Sequence, residues 1–219
     1  FAPGDAGSKN YRIPAIITAA DGSLVVATDK RKNNQGDLPE DIDVVIRRSE
    51  DGGITWSEPQ TIAEGTGARR GFGDAGLVHT TEENGLLCIF AGGEGIFDNS
   101  SPSNPTRTYV CKSTDNGKTW SAPRDITEQL YGTACTVTER QGWYASFCAS
   151  GNGLLTKNGR IVFVAAVREN SASTLSNFVY YSDDNGETWN VSKRAKLGGD
   201  ESKVVELSDG TILMSIRRQ

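Results

Sequence analysis

Three octapeptides constrain this chain more than any other feature: Ser49-Glu50-Asp51-Gly52-Gly53-Ile54-Thr55-Trp56, Ser113-Thr114-Asp115-Asn116-Gly117-Lys118-Thr119-Trp120 and Ser182-Asp183-Asp184-Asn185-Gly186-Glu187-Thr188-Trp189. All read S-x-D-x-G-x-T-W, and they recur at a near-constant interval. A regular recurrence of this kind marks stacked supersecondary units. Asp-x-Gly is tight-turn chemistry: the aspartate bonds its own downstream amides and the glycine takes a positive φ. Thr-Trp then re-enters a strand, with the indole able to plug the space beneath the turn. Each octapeptide follows a strand-like run (IDVVIRRS, TYVCKS, SNFVYYS), so each is expected to turn a β-hairpin.

Further strand candidates fill the intervals: AIITA, SLVVATD, LVHTT, LLCIFAG, RIVFVAAVR, VVEL and TILMSIR, punctuated by Asp21-Gly22, Asn84-Gly85, Asn158-Gly159 and Asp209-Gly210. About four strands per repeat is the composition of propeller blades, whereas an irregular β-sandwich would not repeat an eight-residue pattern. Known propellers close with ~4–8 blades. At least three stacked units occur here, so residues 1–219 read as one incomplete propeller domain of about four blades. A start at Phe1 and a stop at Gln219, inside an apolar run, read as cut ends.

Composition excludes several classes. Lys+Arg 23 against Asp+Glu 28 gives a net charge of −5, which disfavours nucleic acid as a partner. No apolar run is long enough for a membrane span. A single histidine, His79, argues against His-based triads and multi-His metal sites. Cys88, Cys111, Cys135 and Cys148 show no CxxC spacing, and the first two sit in apolar runs as buried thiols. Spacing leaves a Cys135–Cys148 disulfide open. Chemistry here is expected to run on carboxylates and arginines.

The octapeptides resemble the Asp boxes of the sialidase (neuraminidase) superfamily, where they are structural elements of the outer rim; Asp51, Asp115 and Asp184 are therefore not candidate catalysts. Tyr11-Arg12-Ile13-Pro14 resembles the family's Phe/Tyr-Arg-Ile-Pro motif, and Asp29-Lys30-Arg31, Asp37 and the first Asp box follow in the family's order. The resemblance covers essentially the whole chain. It implies an all-β fold, a six-bladed β-propeller, that removes terminal sialic acid from glycoconjugates without metal or organic cofactor. It also implies a secreted, periplasmic or cell-surface location.

Residue by residue, the resemblance makes Arg12 a member of the arginine triad that binds the sialoside carboxylate. Guanidinium forks suit that task because they pair with carboxylates bidentately at any working pH. Arg31 matches an arginine beside the acid, with Lys30 and Lys32 as neighbours that blur the register. Asp37 matches the general acid/base, with Asp41 and Asp43 as competitors. Phe72-Gly73-Asp74-Ala75-Gly76 resembles the Gly-Asp segment of the pocket rim, where Asp74 would bond a sugar hydroxyl. Asp200-Glu201-Ser202-Lys203-Val204-Val205-Glu206-Leu207 resembles the segment whose glutamate, here Glu201, serves as base for a tyrosine nucleophile. Arg217 then matches a second triad arginine. Arg218 is its rival, but adjacent strand residues face opposite ways, and Glu206 is expected to face away.

No tyrosine stands in a matching context, so the nucleophile and a third arginine are expected beyond Gln219. Trp143-Tyr144-Ala145-Ser146-Phe147 could contact the N-acetyl group or simply pack a blade. The implied reaction is hydrolysis of sialylated glycans with retention. Trans-sialidases and intramolecular lyases would share these residues, and a non-catalytic Asp-box propeller that binds glycans or proteins would not need them together.

Overall fold

A computed structural model describes residues 1–148 and 151–219. Four sheets, antiparallel except for one two-residue strand, follow one another along the chain. The first contains β1 (Asn10–Thr18), β2 (Leu24–Arg31), β3 (Ile42–Ser49) and β4 (Gln60–Ala63) in sequence order. The second repeats the plan with β5 (Phe72–His79), β6 (Leu86–Gly92), β7 (Arg107–Ser113) and β8 (Arg124–Asp125). In the third, β9 (Ala145–Cys148) and β11 (Leu154–Leu155) share the inner edge beside β12 (Ile161–Arg168), followed by β13 (Ser176–Ser182) and β14 (Asn190–Val191). Between them β10 (Gly151–Asn152) runs parallel to β5, and Asn152 donates to the Ile16 carbonyl at 2.7 Å. After β15 (Lys196–Leu197), β16 (Gly199–Glu206) and β17 (Ile212–Arg218) form a final hairpin. These are propeller blades in an arc that does not close within the chain.

Blade stacking explains the apolar runs. On β6, Leu86, Cys88 and Phe90 face a core shared with Val25 and Ala27 of the first blade. Leu87 and Ile89 face the opposite core, with Phe163, Ala165 and Trp189 of the third. A strand covered on both faces has no polar side to show, so LLCIF is continuously apolar. The β16–β17 hairpin is uncovered on one side, where Val205 and Leu213 are exposed.

The octapeptides turn β3 into β4, β7 into β8 and β13 into β14, as their chemistry predicts. In the third, Thr188 N donates to Asp184 at 2.8 Å, Gly186 N donates to Ser182 Oγ at 2.8 Å, and Trp189 Nε1 donates to the Gly186 carbonyl at 2.9 Å. The bonds that Thr188 and Ser182 donate to the ionised carboxylate together outweigh partial desolvation and hold Asp184 down to about 2. The indoles are not equally inserted: Trp189 is 4% exposed and Trp56 36%. All four cysteines are buried free thiols, so the Cys135–Cys148 disulfide is not formed.

Candidate active site

The first strands of the first, second and fourth blades share a defect. β1 slips register between Arg12 and Ala15, β5 between Gly73 and Gly76, and β16 between Gly199 and Ser202. A bulge adds a residue that the partner strand cannot match, so the strand bends and side chains are re-aimed. Ile13 and Asp74 accordingly adopt φ of 57° and 59°. For a β-branched residue such as Ile13 that is a costly conformation of the kind stored at functional sites.

Each bulge is tied by a neighbouring polar side chain. Thr28 Oγ1 donates to the Arg12 carbonyl at 2.7 Å. Asp29 Oδ1 accepts from Asp74 N at 2.9 Å. The Asp200 carbonyl accepts from Asn177 Nδ2 at 2.7 Å and from Ser202 Oγ at 2.8 Å.

The bulged segments converge on one pocket of about 360 Å³. Arg12, Asp37, Asp74, Asp200, Glu201 and Arg217 supply its polar wall; Phe147, Leu175, Leu38 and Phe97 are among the apolar residues opposite. Arg12 Nη1 donates to the Gln35 carbonyl at 3.1 Å and lies 3.5 Å from Asp37 Oδ1. Arg217 is ion-paired to Glu201, with its Nε 4.0 Å from Asp200. Both arginines remain substantially exposed, so their guanidinium forks can turn to an incoming anion.

Arg31 is placed differently. Its side chain is 1% exposed and does not line the pocket; it lies behind Asp37. Nη2 meets Asp37 at 2.7 Å and Asp29 at 2.9 Å, while Nη1 donates to the Gln35 carbonyl at 2.6 Å. The flanking lysines point elsewhere: Lys30 pairs with Asp43 at 3.6 Å, and Lys32 with Asp43 at 2.8 Å and Asp41 at 3.1 Å. Asp41 and Asp43 are thus engaged outside the pocket, and Asp37 is the loop carboxylate that enters it.

Burial, and after it the negative charge of Asp37, pushes the Asp74 carboxyl up to about 6, against the pull of Arg31. Burial likewise raises Asp29, which Arg31 opposes. Loss of hydration also lowers Lys203 on β16.

Other sequence expectations resolve as follows. Arg217 lines the pocket and Arg218 does not; Glu206 faces away and accepts from Lys157 N at 2.8 Å. The segment Trp143–Phe147 splits. Trp143 packs 4.5 Å from Phe178 in the core and Tyr144 lies 5.0 Å from Arg168, leaving Ser146 and Phe147 to reach the pocket. None of the six tyrosines lines it among the described residues. Among those residues no group of three or more His, Cys, Asp or Glu side chains could hold a metal ion. The sequence motifs assign no role to Asp29 or Asp200. For Asp29 the signal was present: Val25, Ala27, Asp29 and Arg31 form one buried file on β2, and a charge pair in such a file needs a reason.

Comparison with known proteins agrees with this architecture. The BNR repeat-like domain model matches residues 13–218. Over 98% of its length the chain is 35% identical to a sialidase of Micromonospora viridifaciens and spans 34% of that protein. It is 31% identical over 98% of its length to a sialidase of Bacteroides fragilis, spanning 40%. A Hadza microbial sialidase matches in structure with a TM-score of 0.87 at 28% identity, over 99% of this chain and 43% of that one. The chain therefore spans well under half the length of these relatives. It belongs to the BNR repeat-like domain family, with the β-propeller fold of the sialidase superfamily.

Proposed function

We propose that this chain carries the carboxylate-binding and acid-catalytic side of an exo-α-sialidase active site. One observation carries the reading: Arg12 and Arg217, from the first and fourth blades, share a pocket with Asp37, an aspartate held by a buried arginine. A sialoside presents a carboxylate on its anomeric carbon. In this reading Arg12 and Arg217 exchange their present partners, Asp37 and Glu201, for that carboxylate through charge-assisted bonds. Asp37, released from Arg12 and protonated from solvent as the sugar covers it, donates that proton to the leaving glycosidic oxygen. Asp74, half-buried at the rim, bonds a ring hydroxyl, and Phe147 and Leu175 pack against the apolar part of the sugar.

Glu201 serves as base toward a tyrosine supplied by the rest of the full protein. A phenol approaches the anomeric carbon, beside the sialoside's own carboxylate, with less repulsion than a second carboxylate; it gives a covalent intermediate that water then hydrolyses with retention. Sialylated glycans are the substrates.

The test is product analysis: the intact protein incubated with sialyllactose, with and without added lactose. Free sialic acid in both supports a hydrolase. Transfer to lactose or an anhydro product would reassign the reaction, and no turnover in the intact protein would favour a binding module.

A further inference from the structure

The acid Asp37 sits on a loop of the first blade, and the rim residue Asp74 on a bulge of the second. One buried side chain touches what holds both of them. Asp29 is 1% exposed; its Oδ2 accepts from Arg31 Nη2 at 2.9 Å and its Oδ1 from Asp74 N at 2.9 Å. The same Arg31 nitrogen reaches Asp37 at 2.7 Å. Among the described residues Arg31 Nε has no hydrogen-bond partner, so its orientation depends on its two terminal nitrogens. Gly73, next to Asp74, leaves room for the carboxylate: a Cβ there would stand 3.0 Å from Asp29 Oδ2.

We propose that Asp29 is a positioning residue that aims Asp37 through Arg31 and fixes the Asp74 bulge, so that one carboxylate registers the active-site halves of two blades. The proposal rests on the reading of Asp37 as general acid. Asp29 cannot meet a ligand, because Arg31 and the Gly73–Asp74 backbone cover it. An isolated structural ion pair in this place would be less economical than a hydrophobic pair, since buried charges seldom add net stability. Asparagine here would keep an acceptor for Asp74 N but turn an amide N–H toward Arg31, removing one of the two carboxylates that fix Nη2 and loosening its aim at Asp37.

A double-mutant cycle in the intact protein tests this. Asp29→Asn should lower kcat on sialyllactose about tenfold or more while largely sparing an aryl sialoside, whose leaving group needs little protonation. In an Asp37→Asn background the same change should cost no more than about twofold, because coupled sites are non-additive. An undiminished loss in that background, or equal losses on both substrates, would make Asp29 merely structural and overturn the proposal. Gly73→Ala provides a second probe that keeps every charge and remains readable if Asp29→Asn does not fold. It crowds Asp29 from the other blade and should reproduce a smaller loss selective for sialyllactose; no such selectivity overturns the proposal. If Asp37→Asn alone leaves sialyllactose turnover intact, the acid assignment itself is wrong, a result distinct from both.

Discussion

Arg31 holds Asp37 at 2.7 Å from a side chain that is 1% exposed, while the Asp37 side chain is 67% exposed. An exposed loop carboxylate is thereby held by a buried, doubly paired cation. The planar fork is essential, since it serves Asp29, Asp37 and the Gln35 carbonyl together. Arg31→Lys keeps the charge but reaches these partners with a single nitrogen. It should lower kcat/KM on sialyllactose on the order of 10²-fold, the usual cost of a misplaced catalytic group. Steady-state kinetics measure it, and an unchanged kcat/KM would deny Arg31 this role.

The second octapeptide staples two blades. Asn116 Oδ1 accepts from Ala20 N at 3.1 Å, Asn116 Nδ2 donates to Asn84 at 2.9 Å, and the residue has φ 61°. Asn116→Gly removes the bonds without straining the backbone and should cost about 1–3 kcal/mol. Asn116→Ala should cost roughly 1 kcal/mol more, because alanine resists positive φ. Urea midpoints separate the two. Equal losses would mean that the backbone conformation contributes nothing. Gly52 occupies the same position in the first octapeptide and has no side chain with which to make such a staple.

The hairpin turns and most core strands were legible because Asp-Gly turns and two-sided burial leave local signatures. The pocket ends of β1, β5 and β16 were not. Their strand-like sequence runs begin near Ala15, Leu77 and Val204, whereas the strands start at Asn10, Phe72 and Gly199. A bulge breaks the two-residue alternation by which strands are recognised. Arg12, Asp74 and Glu201, which line the pocket, lie on or beside those bulges, so family motifs point to them where periodicity fails. Asp29 shows neither signal clearly, because it lies within a motif yet belongs to a buried file.

Asp74 gives a pH signature. With its carboxyl raised to about 6 by burial and by Asp37, the folded protein keeps a proton that the unfolded chain releases near pH 4. This group therefore favours the fold below about pH 4, and that contribution is lost as pH rises through 6. Asparagine does not titrate. The melting temperature of Asp74→Asn minus that of wild type should thus become more positive from pH 4 to pH 7, by a few degrees. A difference independent of pH would place the Asp74 carboxyl at its ordinary value.

Carboxylate recognition predicts that Arg12→Lys and Arg217→Lys each weaken binding of an unsaturated sialic acid analogue by about 10–100-fold in calorimetry, since each loses a charge-assisted bond. An analogue with its carboxylate converted to an amide should bind all forms weakly and nearly equally. Unchanged affinity for the carboxylate analogue in either variant would remove that arginine from the site.

Proton donation by Asp37 is the centre of the account, and leaving-group dependence tests it most directly. The measurement is kcat/KM of wild type and Asp37→Asn on sialyllactose and on an aryl sialoside, side by side. The predicted result is a loss on sialyllactose that exceeds the loss on the aryl sialoside by ~10²–10⁴-fold, the contribution of general acid catalysis. The same change at Asp41 or Asp43 should show no such gap. Equal losses on both substrates for Asp37→Asn, or a selective loss at Asp41, would contradict it.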